Sequence, residues 1–218
     1  MSFLSQLVTV CSSKGIAVSY KPFLRVEALI ASTETVLGIG SCSDVEKVAS
    51  KLDAKLIHTD KLILPGFVDA HLHIDALGFE LSTTSLHGVK SRGELLEILR
   101  KAEPNIGDWI VLGRFDYLLF PDQKPPSRRE LDEFAGNYPV LLIHRSGHMG
   151  VLNTLALKRV ERAISGGKVD FENGWVYESA LWSVKNQVFN QLGASERARL
   201  IKKADEYLWS IGVTAAGV

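Results

Sequence analysis

The sequence of 218 residues lacks any imbalance of charge: 25 Lys and Arg stand against 25 Asp and Glu, with no basic block and no acidic tail. Phosphate binding requires clustered positive charge, so nucleic acid is not expected as the main partner. No stretch approaches the roughly 20 uninterrupted apolar residues that a membrane helix needs, so no membrane partner is expected either. Met1 to Val10 contains no Lys or Arg ahead of its apolar residues, and so lacks the basic start of a signal peptide. Cysteine is scarce, with Cys11 and Cys42 alone. A disulfide between them is open but unforced; two reduced thiols in a cytoplasmic protein is the favoured reading. There is no internal repeat and no low-complexity segment. What is present is an ordinary globular balance of 46% hydrophobic and 23% charged residues, enough for one large domain or one domain with a small appendage.

The first 63 residues read as short β elements plus one helix. Leu24–Ser32 and Thr35–Gly40 have the composition of paired strands with a turn between them. The segment SDVEKVASKLDA reads as a helix with Ser43 and Glu46 as its capping box. Two further strands are expected in KLIHTDKLILPGFVDAHLHI, with Pro65 and Gly66 at the bend between them. Beyond residue 74 helical and strand patterns alternate. Helices are expected after Ser91 (with Glu94), after Ser127 (with Glu130) and after Asn153, and over ASERARLIKKADEYLWSIG with Gly212 just past its end. GWVYESALWSVKNQVF reads as mostly helical. YPVLLIHRSGHMGVLN reads as a strand, a glycine turn and a second strand, and VTAAGV as the start of a strand. Such alternation points to parallel strands with crossover helices.

His71 and His73 end the apolar run LPGFVDAHLHI. On an extended segment residues i and i+2 share a face, so the two imidazoles would project side by side and could offer two nitrogens to one divalent metal. A bare H-x-H pair is a weak signal, since most such histidines are surface or core residues. The preceding buried-strand pattern strengthens it, because in a βα barrel active-site residues lie at the C-terminal ends of the strands. Asp69 shares that face. It would either anchor a ring N–H or ligate weakly.

The run LILPGFVDAHLHI resembles the first barrel strand of the amidohydrolase superfamily of metal-dependent hydrolases. SLHGVKSRGELLEIL, GDWIVLGRFD, PPSRRELDEFAGNYPVLLIHRSGHMGVLNTLAL and YLWSIGVTAAGV are similar to the branch that contains N-substituted formamide deformylase. The resemblance implies an α/β fold: the first strands of an incomplete (β/α)₈ TIM-type barrel, preceded by part of a small β-sandwich domain. Residues 1–63 would belong to the sandwich, and 64–218 to the barrel with an insertion. It also implies that His71 and His73 hold a divalent metal, zinc or a similar ion, as one or two ions. Glu178 in GWVYESAL matches a G-x-L-x-E-x-A pattern, with Val176 in the Leu position; the alternative is an ordinary helix-surface Glu. His148 follows a Gly as in this branch and would lie near the substrate, with His144 beside it; both also fit as structural turn histidines. Asp116 matches an aspartate at the pocket mouth, or is a turn or cap residue. His58 and His87 match nothing and read as exposed or half-buried fillers.

The chemistry implied is hydrolysis of a small-molecule amide or similar C–N bond by metal-activated water. The family pattern also calls for two further histidines and a late aspartate that acts as general base and then acid, and no histidine follows His148. A full barrel takes about 250 residues, more than follow His73. The expectation is the N-terminal portion of a larger hydrolase, inactive alone and self-associating or pairing with its missing part. The alternatives are a non-catalytic remnant or assembly module, and a protein that binds metal without chemistry.

Overall fold

The computed structural model describes residues 7–217. Most of the segment read for a leader, residues 1–6, and Val218 of the last expected strand lie outside them. The chain divides into two compact units, one up to Val68 and one from Asp69 on.

In the first unit one four-stranded sheet has the order β3-β2-β1-β4. Its strands are β1 (Val8–Tyr20), β2 (Phe23–Ala31), β3 (Val36–Gly40) and β4 (Lys55–Thr59). β1 pairs antiparallel with β2 and parallel with β4, and Cys11 lies opposite His58 in the latter register. α1 (Cys42–Lys51) packs on this sheet, burying Val45 and Ala49 against Cys11, Ala28 and Ile30. Its N-cap is Ser41, whose hydroxyl accepts from the Asp44 N–H, and not the expected Ser43. Both serines have an acidic residue three positions on; Ser41 alone is extended, at φ −74° and ψ 154°, as an N-cap must be. Burial pushes the Cys11 thiol up to about 12, with Cys42 and Glu46 adding to the effect.

The second unit is built on a six-stranded sheet of order β10-β11-β9-β8-β7-β6. The strands are β6 (Thr84–Ser85), β7 (Ile110–Phe115), β8 (Val140–His144), β9 (Met149–Leu152), β10 (Val169–Asp170) and β11 (Trp175–Tyr177). β6, β7 and β8 run parallel, as the alternation predicts. Their crossovers are α3 (Arg92–Arg100) and α4 (Arg128–Phe134). From β8 onward the pairing is antiparallel; between β8 and β9, and between β10 and β11, a four-residue turn leaves no room for a crossover. Both faces of the sheet are covered. Ile110, Leu112, Val140 and Leu142 meet Leu95, Leu99 and Leu131 of α3 and α4 on one side. Val111, Leu141 and Val176 meet helices α5 (Thr154–Val160), α6 (Ser179–Asn190) and α7 (Ala194–Ser210) on the other. Two-sided burial explains the continuous apolar runs in β7 and β8. Ser127 with Glu130, and Asn153, cap α4 and α5 as expected. The segment read as mostly helical from Gly174 begins as β11 and becomes α6 only at Ser179.

β5 (Phe67–Asp69) and β12 (Val213–Ala216) form a separate two-stranded sheet. At its end the Gly217 N–H donates to the Asp69 carbonyl at 2.8 Å, and the Leu72 N–H to the Gly217 carbonyl at 2.9 Å. The two strands therefore finish side by side. Helix α2 (Ile74–Ser82) follows β5, α7 precedes β12, and the two helices touch at Gly78. A Cβ built there would lie 2.4 Å from the Leu200 carbonyl oxygen, so only glycine allows this approach. Among the described residues no helix is long and apolar enough to cross a membrane.

Candidate metal centre and adjoining cavities

The strand that leads to the histidines stops at Asp69, short of both. The Asp69 carboxylate takes the backbone N–H of His71 at 3.1 Å. An aspartate bonded to the backbone two residues on is a turn former, and it draws the chain out of extended geometry. His71 sits in that bend, and His73 is the N-cap of α2 with φ −96° and ψ 89°. Strand alternation is thus not what brings the rings together. The bend does so: their centroids are 4.9 Å apart with planes at 85°. Both residues are exposed, and among the described residues no protein hydrogen bond engages a ring nitrogen of either. Asp69 is occupied with the backbone and anchors neither ring.

Glu178 sits elsewhere in the pattern. It is the N-cap of α6 with φ 52°, a backbone conformation that L residues other than glycine seldom adopt. His148 Nδ1 donates to its carboxylate at 2.9 Å, and the Glu178 N–H returns to the His148 carbonyl at 2.9 Å. So the structure pairs Glu178 with His148, and does not bring its carboxylate into a cluster with His71 and His73. Among the described residues, the cluster of three ligand types within 4.8 Å of one another is Cys11, Glu46 and His58. No motif had singled out those three.

His144 and Asp116 do come together. The His144 Nδ1 receives the Ser146 N–H at 3.2 Å and has the Ser146 hydroxyl at 2.9 Å. An Nδ1 that accepts leaves the proton on Nε2, which faces Asp116 Oδ1 at 3.5 Å. Arg145 Nε holds the other Asp116 oxygen at 2.9 Å, and Asp116 also receives the Leu118 N–H at 3.1 Å, capping a short 3₁₀ turn. Phe115 and Tyr117 flank the His144 ring.

Two cavities connect these pieces. One, of about 110 Å³, is lined by His73, Phe79, Trp182, Lys185 and Phe189. The other, of about 400 Å³, is lined by Glu80, Arg114, His144, Arg145 and Lys185. Ala76, Phe79 and Lys185 border both, so His73 and His144 look onto adjoining spaces. The Lys185 Nζ lies 5.2 Å from the centre of the Trp182 ring. Burial in these apolar walls pushes its ammonium below the usual lysine range, and Glu80 opposes that in part. Sequence reasoning missed Lys185. A readable signal existed: Trp182, Lys185 and Phe189 recur at helical spacing on one face of α6.

The profile of the amidohydrolase family matches residues 59–217. The chain belongs to the amidohydrolase family. It is 27% identical over 214 residues to N-substituted formamide deformylase of Arthrobacter pascens, covering 88% of this chain and 38% of that protein. It is 27% identical over 192 residues to Protein LONG AFTER FAR-RED 3 of Arabidopsis thaliana, covering 82% of this chain and 32% of that one. In three dimensions it is similar to an uncharacterized metal-dependent hydrolase from Pyrococcus furiosus, with a TM-score of 0.79 and 30% identity over 97% of this chain and 44% of the other. This amidohydrolase chain therefore spans about a third of the length of the curated relatives it matches.

Proposed function

We propose that this chain contributes the first metal ligands and part of the substrate pocket of a hydrolase that cleaves C–N bonds of the amide or formamide type. The observation that carries the reading is the meeting of the His71 and His73 rings, 4.9 Å apart and without a hydrogen-bond partner among the described residues, where β5 and β12 end together. Strand ends of that kind are where a βα barrel places its chemistry. In this reading β5 and β12 are strands of a (β/α)₈ barrel. The six-stranded sheet between them in sequence is the insertion, and the β1–β4 sheet is part of a small β-sandwich.

The two neutral imidazoles from the bend fit a divalent metal, zinc or a similar ion, while Glu178, steadied by His148 and outside their cluster, would join them as a carboxylate only in the complete hydrolase. Bound there, the metal supplies Lewis acidity that acidifies water and polarises a carbonyl. The other roles belong to this chain's own side chains. Lys185 presents N–H donors to a substrate oxygen in the space beside His73. His144, oriented by Ser146 and Asp116, offers its Nε2 proton from the adjoining cavity, and Arg145 holds the other Asp116 oxygen in place. Trp182, Phe79 and Phe189 exclude water from the smaller cavity. Two imidazoles fall short of the three protein ligands of a catalytic zinc site, so the chain by itself binds metal without turnover.

The test is metal content of the purified chain by elemental analysis, together with hydrolysis of a panel of N-acyl and N-formyl substrates. Loss of one equivalent of bound metal in His71→Ala and in His73→Ala, with no turnover, is the expected result. Metal content unchanged in both variants would overturn the assignment.

A further inference from the structure

A second set of ligands lies wholly within the unit up to Val68. Cys11 comes from β1, Glu46 from α1 and His58 from β4. The parallel register of β1 and β4 sets Cys11 opposite His58, and α1 closes over that pair. One carboxylate oxygen is common to both contacts. Glu46 Oε1 is 3.7 Å from Cys11 Sγ and 3.4 Å from His58 Nε2. The second distance is longer than an ordinary N–H···O bond.

Both distances fit a different geometry. Zinc bonds of about 2.3 Å to sulfur and about 2.1 Å to nitrogen or oxygen, at tetrahedral angles, give edges of about 3.6 Å for S···O and about 3.4 Å for N···O. The three ligand atoms already stand within 4.8 Å of one another. A cavity of about 630 Å³ opens on the site, and its lining includes Cys11, Cys42, Glu27, His58 and Asp60. It gives an ion a way in, two carboxylates to attract it and, in Cys42, a further sulfur donor beside Cys11. Thiolate with imidazole and carboxylate is a donor set that selects zinc over magnesium or calcium.

We propose that Cys11, Glu46 and His58 form a zinc site that ties β1, α1 and β4 together, independent of the His71–His73 pair. Binding breaks the Cys11 S–H bond; the thiolate sulfur joins the metal and the proton leaves to solvent. The role is structural, since the three ligands come from three elements of one sheet-and-helix unit.

The experiment uses the full chain carrying His71→Ala and His73→Ala, so that the other histidines do not compete, reduced with a phosphine and titrated with Co²⁺ alone and then Zn²⁺. The expected result is a thiolate-to-cobalt charge-transfer absorption that saturates at one equivalent, is bleached by Zn²⁺, and is absent in Cys11→Ser. Because Cys11 is buried, His58→Ala serves as a second variant with an exposed side chain. It should lower zinc affinity by at least about tenfold with the far-UV circular dichroism unchanged, since even indirect partners of a metal ligand are worth that much. Absence of the charge-transfer band, its survival in Cys11→Ser, or unchanged affinity in His58→Ala would each overturn the proposal.

Discussion

At Glu130 two opposing effects meet on one carboxyl group. Burial by itself would raise its pKa. The Ser127 N–H and hydroxyl, at 2.8 and 2.7 Å, and the Arg92 guanidinium, at 2.8 Å, outweigh that and hold it below the usual glutamate range. Arg92 is itself held by Asp122 and by the Lys124 carbonyl. A folded-state pKa below the unfolded one means that the unfolded chain binds the proton more readily. The stabilisation is then complete above the ordinary glutamate pKa and is lost as pH falls through the lowered one. Glu130→Gln should cost about 1 kcal/mol at neutral pH, in line with losing charge-assisted hydrogen bonds, and the gap to wild type should close as pH falls from neutral through the lowered pKa of Glu130. Urea denaturation of both proteins across that interval is the check; a gap that stays constant would show that ionisation of Glu130 contributes nothing. Glu178 carries the other tension at this scale. Its positive φ costs of order 1–3 kcal/mol, and strain of this kind gathers at functional positions. That agrees with the ligand role proposed for it.

The decisive contact between elements is the crossing of α2 and α7 at Gly78. α2 begins at His73, so whatever displaces this helix also displaces one of the two imidazoles. A methyl group at 78 would meet the Leu200 carbonyl, a backbone atom that cannot rotate away. Gly78→Ala should therefore destabilise by about 1–3 kcal/mol despite the better helix propensity of alanine. It should also weaken metal binding at His71 and His73. Thermal denaturation and metal titration of the variant test this together, and a variant as stable as wild type would mean that the helices do not meet as described. The Gly78 contact left no mark in the sequence, because a glycine in a helix looks the same whether it faces solvent or a neighbouring backbone. Caps behave oppositely. Ser127, Asn153 and Gly212 act on groups within a few residues of themselves, and so they were readable in advance.

At the scale of the molecule, β5 and β12 form a sheet of two strands among the described residues, and such a sheet is marginal in water. Its β5 residues Phe67 and Val68 are 51% and 71% exposed. Unpaired strand edges beside exposed apolar side chains favour association. We expect the chain to form dimers or larger species as its concentration rises, followed by light scattering; a compact monomer at high concentration would count against it.

The sequence by itself determined which segments became helices and strands wherever the signal was local, together with the apolar runs of a sheet buried on both faces. It also pointed to family and to a histidine pair, through one contiguous motif. It did not reveal β1 as one strand of 13 residues, because Ser12, Ser13, Lys14 and Gly15 interrupt the alternation and the pairing shifts register there. Tertiary structure alone decided the rest. It set the imidazoles together by a bend at Asp69, joined Glu178 to His148 and Asp116 to His144, placed Lys185 between two cavities, and gathered Cys11, Glu46 and His58. The reason is distance along the chain. Cys11 and His58 meet only because β1 and β4 pair, and pairing between remote segments is fixed by how whole surfaces bury, which no single stretch of residues specifies.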